Sequence, residues 1–383
     1  MKRLVLFIAV ILVLTMVACA APAATPTPAP PPPKPAPSPA PAPVPSPAPS
    51  PTAALPQKVG IASTGVGSMM HALVSALGKV ASERSPIVVV AIPTAGSLEW
   101  VPQLVSTGKP EFGCSHTMDA WWAYNGKVSP LPIPGDMLGT KPLFQPNPTL
   151  RAIAAPARAA VGMLVRADSP FKSLQDMKGK RLASGYLAQP SAFANLVVEL
   201  VNQGMTFKDF VEVTVASPIA GVAALKEGRV DVTNAAVGMG QVIEAEAAVG
   251  VRYLPFSMKP EDIKRAEAVF PGGTGEMWEP NPTFGVKERM PLWTNPWSIV
   301  TTTSMSDQVV EVLLEAWWNN YQELPKLHPA FERIKSPDMF VIEKATIPYH
   351  DAAIKFYKKK GAWSAKMDTI QQRLLKGEYP FLD

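Results

Sequence analysis

The stretch "KVGIASTGVGSMMHALVSALGKVASERSPIVVVAIPTAGSLEWVPQLVSTG" (residues 58–108) decides the fold. A short apolar run, KVGIA, leads into small and polar STGVGS and then into MMHALVSALGKVASE, where apolar residues recur at helical spacing. The unit then repeats as IVVVAI, PTAGS and LEWVPQLVSTG. Further along, EFGCS runs into HTMDAWWAYNG, RLASG into YLAQPSAFANLVVELVNQG, VEVTVAS into PIAGVAALKEG, and VDVTNAA into VGMGQVIEAEAAVG. Strands alternating with helices predict an α/β architecture, doubly wound and mostly parallel, with helices on both faces of the sheet.

Nearly every strand-to-helix junction carries Gly, Ser, Thr or Asn. In open parallel sheets the crevice at the carboxyl ends of the strands is where ligands bind. Helix N-termini there offer unpaired N–H groups and partial positive charge, and small residues let a guest approach the backbone. Any one junction reads equally well as a simple N-cap or turn. Six together predict a polar cleft suited to an anionic or strongly polar small molecule.

Working outward to the N-terminus, "MKRLVLFIAVILVLTMVAC" (1–19) has Lys2 and Arg3, an apolar run from Leu4 to Leu14, and small residues ending at Ala18-Cys19. This is the pattern of a secretory signal over residues 1–18. "MVAC" resembles a bacterial lipobox, with Met16 where leucine is usual, which makes Cys19 a lipid anchor in the bilayer and the first mature residue. Residues 20–56 hold 17 of the chain's 43 prolines, interleaved with Ala, Ser and Thr. Such a segment has neither the amide donors nor the apolar mass for a core and reads as a polyproline II stalk, on the order of 100 Å if extended. Removing Lys2 and Arg3 with the signal lowers the formal charge from +5 to +3. That is too mild for nucleic acid, and no Gly-rich phosphate loop or basic-aromatic patch is present. With Cys19 lipidated, Cys114 has no disulfide partner, so packing alone must stabilise the exported domains.

No enzyme constellation appears. The four histidines, His71, His116, His328 and His350, are dispersed, with no i/i+4 metal pair, no G-x-S-x-G elbow and no CxxC. His71 falls on an apolar helical face and His350, in IPYHDAAIKFY, reads as a helix cap or inter-domain hydrogen bond; His116 alone lies at a strand end in the expected cleft. Nothing calls for a cofactor or a metal. Trp121 and Trp122 are adjacent on a helix and cannot share a face, so at least one only packs. Residues 270–297, "FPGGTGEMWEPNPTFGVKERMPLWTNPW", break the repeat and are expected to form a long loop, either over the cleft or packed on itself. The helical SDQVVEVLLEAWWNNYQELPKL and DAAIKFYKKKGAW that follow are expected to pack on the first domain.

The segments STGVGSMMHAL, PTAGSLEWVPQL, CSHTMDAWWAYNG, LKEGRVDVTNAAVG and IPYHDAAIKFYKKKGAW, with LQDMKGKRLASG between them, resemble the solute receptors of TRAP transporters of the TAXI family, in the expected order across residues 58–365. The resemblance implies a type II periplasmic-binding-protein fold: two lobes joined by crossover strands, closing over a ligand. The implied boundaries are 57–157 for the first part of lobe 1, 158–253 for lobe 2, and 254–383 for the return to lobe 1 with the C-terminal helices. Carried over by segment, the implied binding residues are Ser63, Thr64, Gly65, Gly67 and Ser68, then Thr94, Ala95, Gly96 and Ser97, then His116 and Thr117, and on the second lobe Ser184, Gly185, Ser191, Asn234 and Val237. Three positions depart from the family pattern: Met69-Met70-His71 replaces paired tyrosines and a proline, Trp100 replaces asparagine, and Thr233-Asn234-Ala235-Ala236 replaces a phenylalanine-rich segment. Trp100 joins the candidates as a stacking surface, and Arg158 as the cation for a carboxylate, with a solvated strand arginine as its alternative.

The resulting expectation is a monomeric receptor that takes a small organic anion, of the amino-acid or dicarboxylate class, to a TRAP-type membrane permease. The alternatives are a receptor for an ABC importer with a sulfonate, phosphonate or thiamin-precursor-like ligand, a ligand-sensing lipoprotein, and an enzyme of the hydroxymethylbilane-forming deaminase type, for which Cys114 is badly placed.

Overall fold

The computed structural model describes residues 54–127, 137–139, 141–186, 189–270, 272–328 and 331–381. The signal segment, Cys19 and the proline run up to residue 53 lie outside the described residues. Strands β1 (Lys58–Ser63), β2 (Val88–Pro93) and β3 (Phe112–His116) alternate with helices α1 (Met69–Arg84), α2 (Ser97–Thr107) and α3 (Thr117–Asn125), as read from the sequence. After β4 (Leu150–Arg166) the pattern resumes with β5 (Arg181–Gly185), α4 (Pro190–Asn202), β6 (Val211–Val215), α5 (Pro218–Lys226), β7 (Thr233–Ala236) and α6 (Gly240–Val249). Next come β8 (Val251–Tyr253), α7 (Pro260–Val269), β9 (Thr274–Trp278) and β10 (Met290–Thr302). Helices α8 (Asp307–Asn319), α9 (Leu324–Leu327), α10 (Asp351–Lys359) and α11 (Ala365–Leu375) complete the chain.

The main sheet runs β2-β1-β3-β10-β4-β7, with β8 added on β4 and β9 on β10, while β5 and β6 form a separate pair. The pairs β1–β2, β1–β3 and β5–β6 are parallel, as the alternating pattern requires. A parallel bridge from Leu182 to Val232 continues the second set towards β7. Two long strands tie these sets together. Residues 150–157 of β4 lie against the end of β10 that also pairs with β3, whereas residues 161–166 carry β7 and β8. The elements β1–β3 and α1–α3 thus form one wing of the sheet, and β5–β8 with α4–α7 the other.

Proline explains a detail of this junction. From Trp297 to Ile299, β10 advances two residues while β4 steps from Ala157 to Ala154, so Ala155 and Pro156 bulge out of the ladder. Pro156 has no N–H to donate, and a bulge is where a central strand tolerates that loss.

The Trp-rich segment 270–297 is not a loop. It contains β9 and most of β10, paired antiparallel from Met290–Trp278 to Thr294–Thr274. Prolines and glycines concealed the strand pattern, although β10 is buried along almost its whole length. Trp293 and Trp297 are core residues, and both Trp121 and Trp122 are buried. The C-terminal helices pack on the first wing: the Trp317 indole N–H donates to Leu77 O at 3.0 Å, tying α8 to α1. His350 caps α10, its Nδ1 accepting from Ala352 N at 3.2 Å.

Candidate functional site

Helices of both wings begin around one interior cavity of about 50 Å³. On the first wing, Ser68 is the N-cap of α1 and His116 that of α3. On the second, Gln189 precedes α4, Pro218 and Ile219 open α5, and Met239 precedes α6. All of these line the cavity. The arrangement follows from the sequence: strands end in small polar residues and helices start within a few residues, so each wing aims helix N-termini at the gap. Five N-termini sum their partial positive charges on that gap. None of the lining side chains is acidic or basic at neutral pH, because burial holds the His116 imidazole down to about 4, against a raising contribution from its hydrogen bond with Asn295.

His116 anchors a buried polar chain. Its Nδ1 lies 3.0 Å from the Trp297 indole nitrogen and 2.7 Å from Asn295 Oδ1. An unprotonated Nδ1 accepts from the indole; a protonated one donates to the amide oxygen. Asn295 Nδ2 in turn donates to Asn195 Oδ1 at 3.1 Å, carrying the chain from β10 into α4. On the first wing, the hydroxyls of Thr64 and Ser68 are 2.6 Å apart, and Ser68 accepts from His71 N at 3.1 Å. His71 is half-buried, with Nδ1 2.9 Å from Ser63 Oγ.

The wings also bond directly. Gly240 N donates to Gly67 O at 3.0 Å, and Gln189 Nε2 donates to Ala95 O at 3.2 Å. Gly67 has φ +88°, a conformation that favours glycine, and a Cβ there would have to push the Gln241 side-chain amide aside. Asp119, in the first turn of α3, accepts at one carboxylate oxygen from Ser97 of α2 at 2.9 Å and from Ser191 of α4 at 2.8 Å. Burial pushes its carboxyl up to about 6, against these two hydrogen bonds, and its other oxygen, Oδ1, has no partner. The cavity therefore lies between wings that are bonded directly to each other. Solute sites usually have roughly 300–1,000 Å³, so a solute must part the wings or displace lining side chains such as the flexible Met69, Met70 and Met239.

A family model described as the NMT1-like family matches residues 61–361, which takes in both wings and both long strands. The chain belongs to the NMT1-like family. Among solved structures, this NMT1-like chain is similar to one titled "Structure of a periplasmic transporter", at 14% identity over 85% of this chain and 100% of that one, with a TM-score of 0.50, which shows the shared fold. Other similar structures are R. palustris Rpa4515 with adipate, at 12% identity over 84% and 97% of the two chains with TM-score 0.49. The alkanesulfonate-binding protein SsuA from Xanthomonas axonopodis pv. citri bound to MOPS is 15% identical over 85% and 97%, with TM-score 0.44. The two-winged α/β architecture is that of the periplasmic transporter.

Of the residues carried over by segment, the NMT1-like structure brings Thr64, Ser68, His116 and Asn234 to the cavity wall. Gly65, Gly67, Ala95, Ser97 and Ser191 lie at or beside the contacts between the wings. Ser63 and Thr94 hold the first wing together, Thr94 Oγ1 donating to Ser63 O at 2.6 Å, and Gly96 precedes α2. Thr117 is buried, its Oγ1 without a partner. Other candidates are placed elsewhere. Trp100 is a core residue whose ring would be 2.3 Å from a Cβ on Gly113, so it packs on β3 and presents no stacking face. Ser184 donates to Glu212 at 2.9 Å across β5–β6, and Gly185, at φ +104°, faces Thr214 and Val215. Val237 and Arg158 line two outer crevices. Asp119, Asn195, Asn295 and Trp297 escaped the sequence reading; the one signal was polar residues in otherwise apolar helix and strand runs. Cys114 is buried in β3, and burial raises its thiol well above the ordinary range. Among the described residues, no group of three His, Cys, Asp or Glu could hold a metal ion, and no helix is long and apolar enough to cross a membrane.

Proposed function

We propose that the chain is an extracytoplasmic solute receptor, tethered through Cys19 and the proline-rich stalk, whose wings act as two lobes closing on a small organic anion. The observation that carries this is the convergence of five helix N-termini, from both wings, on one cavity where the hydroxyls of Thr64 and Ser68 and the amides of Gln189, Asn195 and Asn234 stand among apolar side chains. Main-chain dipoles and neutral donors grip an anion there without a basic side chain, and parting of the lobes releases it. The motif resemblance supports a TRAP-type permease as the recipient. Membership of the NMT1-like family and the transporter fold support an ABC importer equally well.

Calorimetry on the full chain against amino acids, di- and tricarboxylates and alkanesulfonates tests the proposal. Saturable one-site binding of at least one anion is expected, weakened by Asn234→Leu at the cavity wall. Binding of neutral solutes alone, or of none, would overturn the ligand class. Uptake assays in which the receptor is paired with a three-component permease or with an ATPase-driven one separate the two recipients.

A further inference from the structure

A crevice of about 510 Å³ lies beside the interior cavity, and Met69 and Trp297 border both spaces. Its volume is in the range of solute sites, whereas the interior cavity's is not. Its charged lining consists of Arg158, Arg333 and Lys344 with Glu276 and Glu343, three cations against two carboxylates. Glu343 accepts from Lys366 at 2.8 Å and Lys344 lies 4.0 Å from Glu267, both partners outside this lining, which leaves Arg158 and Arg333 with Glu276.

The two arginines converge. Arg158 Nη1 donates to Glu276 Oε1 at 2.7 Å, and Arg333 Nη2 donates to Glu276 Oε2 at 3.2 Å. Among the described residues, Glu276 is the only acid within ion-pair distance of either guanidinium. Each has five N–H donors in a planar fork, far more than one carboxylate can accept, and two positive charges meet one negative. The forks are held in place: Arg158 projects from β4 between Ala157 and Ala159, and Arg333 lies 4.2 Å over the Trp278 ring. The same lining includes the apolar Ile334, Met339 and Ile342.

From this the geometry points to a carboxylate subsite: the solute's acidic end binds between Arg158 and Arg333, sharing their donors with Glu276, while its apolar body lies against Ile334, Met339 and Ile342 and reaches towards Trp297 and Met69. The chemical class is an organic acid with an aliphatic or aromatic body, bound at one end by side-chain cations and at the other by the helix N-termini. This inference rests on the solute-receptor proposal and adds the orientation of the guest. It also assigns Glu276 a role, as a built-in competitor that keeps the two guanidiniums together until a carboxylate arrives.

The test is calorimetry on the full chain with succinate, glutarate, adipate and benzoate, and with adipamide as the uncharged counterpart. Wild type is expected to bind at least one of the acids and not adipamide. Arg158→Gln and Arg333→Gln should each weaken that binding about tenfold or more, as expected for loss of a charge-assisted hydrogen bond. Glu276→Gln, which removes the competitor and leaves the arginines, should tighten it. All three side chains are partly exposed, and circular dichroism confirms that each variant is folded. If the acid binds with unchanged affinity to all three variants but is lost in Asn234→Leu, the subsite is overturned and the receptor proposal stands. If none of the four acids binds wild type, the subsite is overturned, and the wider solute panel decides the receptor proposal separately.

Discussion

The two wings carry the same strand, small-residue, helix unit but use it differently. On the first wing the junction residues Thr64, Ser68 and His116 turn polar atoms towards the cavity. On the second, the Ser184 hydroxyl is taken by Glu212, and the wall is built from Pro218, Ile219, Ala236 and Met239, with amides from Gln189, Asn195 and Asn234. A shared local pattern therefore fixes where helix N-termini point, while the neighbouring strand decides whether a hydroxyl is free to meet a guest. In the proposed receptor the first wing is the recognising face and the second the closing face; the two meet where Gly240 N donates to Gly67 O.

The substitution that should break this division most severely is Gly67→Val. The residue has φ +88°, which a β-branched side chain resists, and the carbonyl of this same residue accepts from Gly240 N across the gap. Solute binding should fall by about a hundredfold or more, and small-angle scattering should show an expanded radius of gyration. Unchanged scattering and affinity would mean that the two wings do not close through this contact.

Asp119 sharpens the comparison next, because it accepts from α2 on one wing and α4 on the other. Its folded carboxyl, pushed up to about 6 by burial, exceeds its unfolded value, so the folded state favours the protonated form. The stability it contributes is complete below about pH 4 and is lost as pH rises through 6. Asp119→Asn removes that loss, so the variant should gain on the order of 3 kcal/mol relative to wild type between pH 4 and pH 7 in denaturant titrations. Glu199, which burial pushes in the same direction, and His116, held down and therefore opposite in sign, act in both proteins and cancel in the difference. A flat difference curve would show that Asp119 does not titrate in this window.

The smallest effects compare equivalent hydroxyls. Ser68→Ala removes the N-cap of α1 and should cost about 1 kcal/mol of stability while also weakening solute binding. Ser184→Ala should cost a similar amount, about 1 kcal/mol, and leave binding unchanged, since its hydroxyl is bonded to Glu212. Equal binding losses in the two would erase the distinction between the faces.

Much of this was legible in the chain. The six strands β1, β2, β3, β5, β6 and β7 and the helices after them follow from apolar periodicity and glycine-rich junctions, which are local. What periodicity missed was the long strand β10. "MPLWTNPWSIVTT" has two prolines and an asparagine, residues that ordinarily argue against a central strand. In the folded molecule Asn295 is satisfied by Asn195 and His116, partners far away in the chain, and Pro291 and Pro296 keep their places in the ladder opposite Met277 and Arg158. Trp100 failed as a stacking surface for a related reason: its side chain fills the space left by Gly113, more than ten residues along the chain.

Helix and strand identity, the alternating order and the polar strand ends were set by nearest-neighbour propensity and spacing, and so could be read from letters alone. The closing contact at Gly67, the bridging carboxylate of Asp119 and the pairing of Arg158 and Arg333 on Glu276 arise between residues far apart in sequence. Only chain crossover through β4 and β10 brings them within hydrogen-bonding distance, because burial and charge pairing depend on what surrounds a side chain in space.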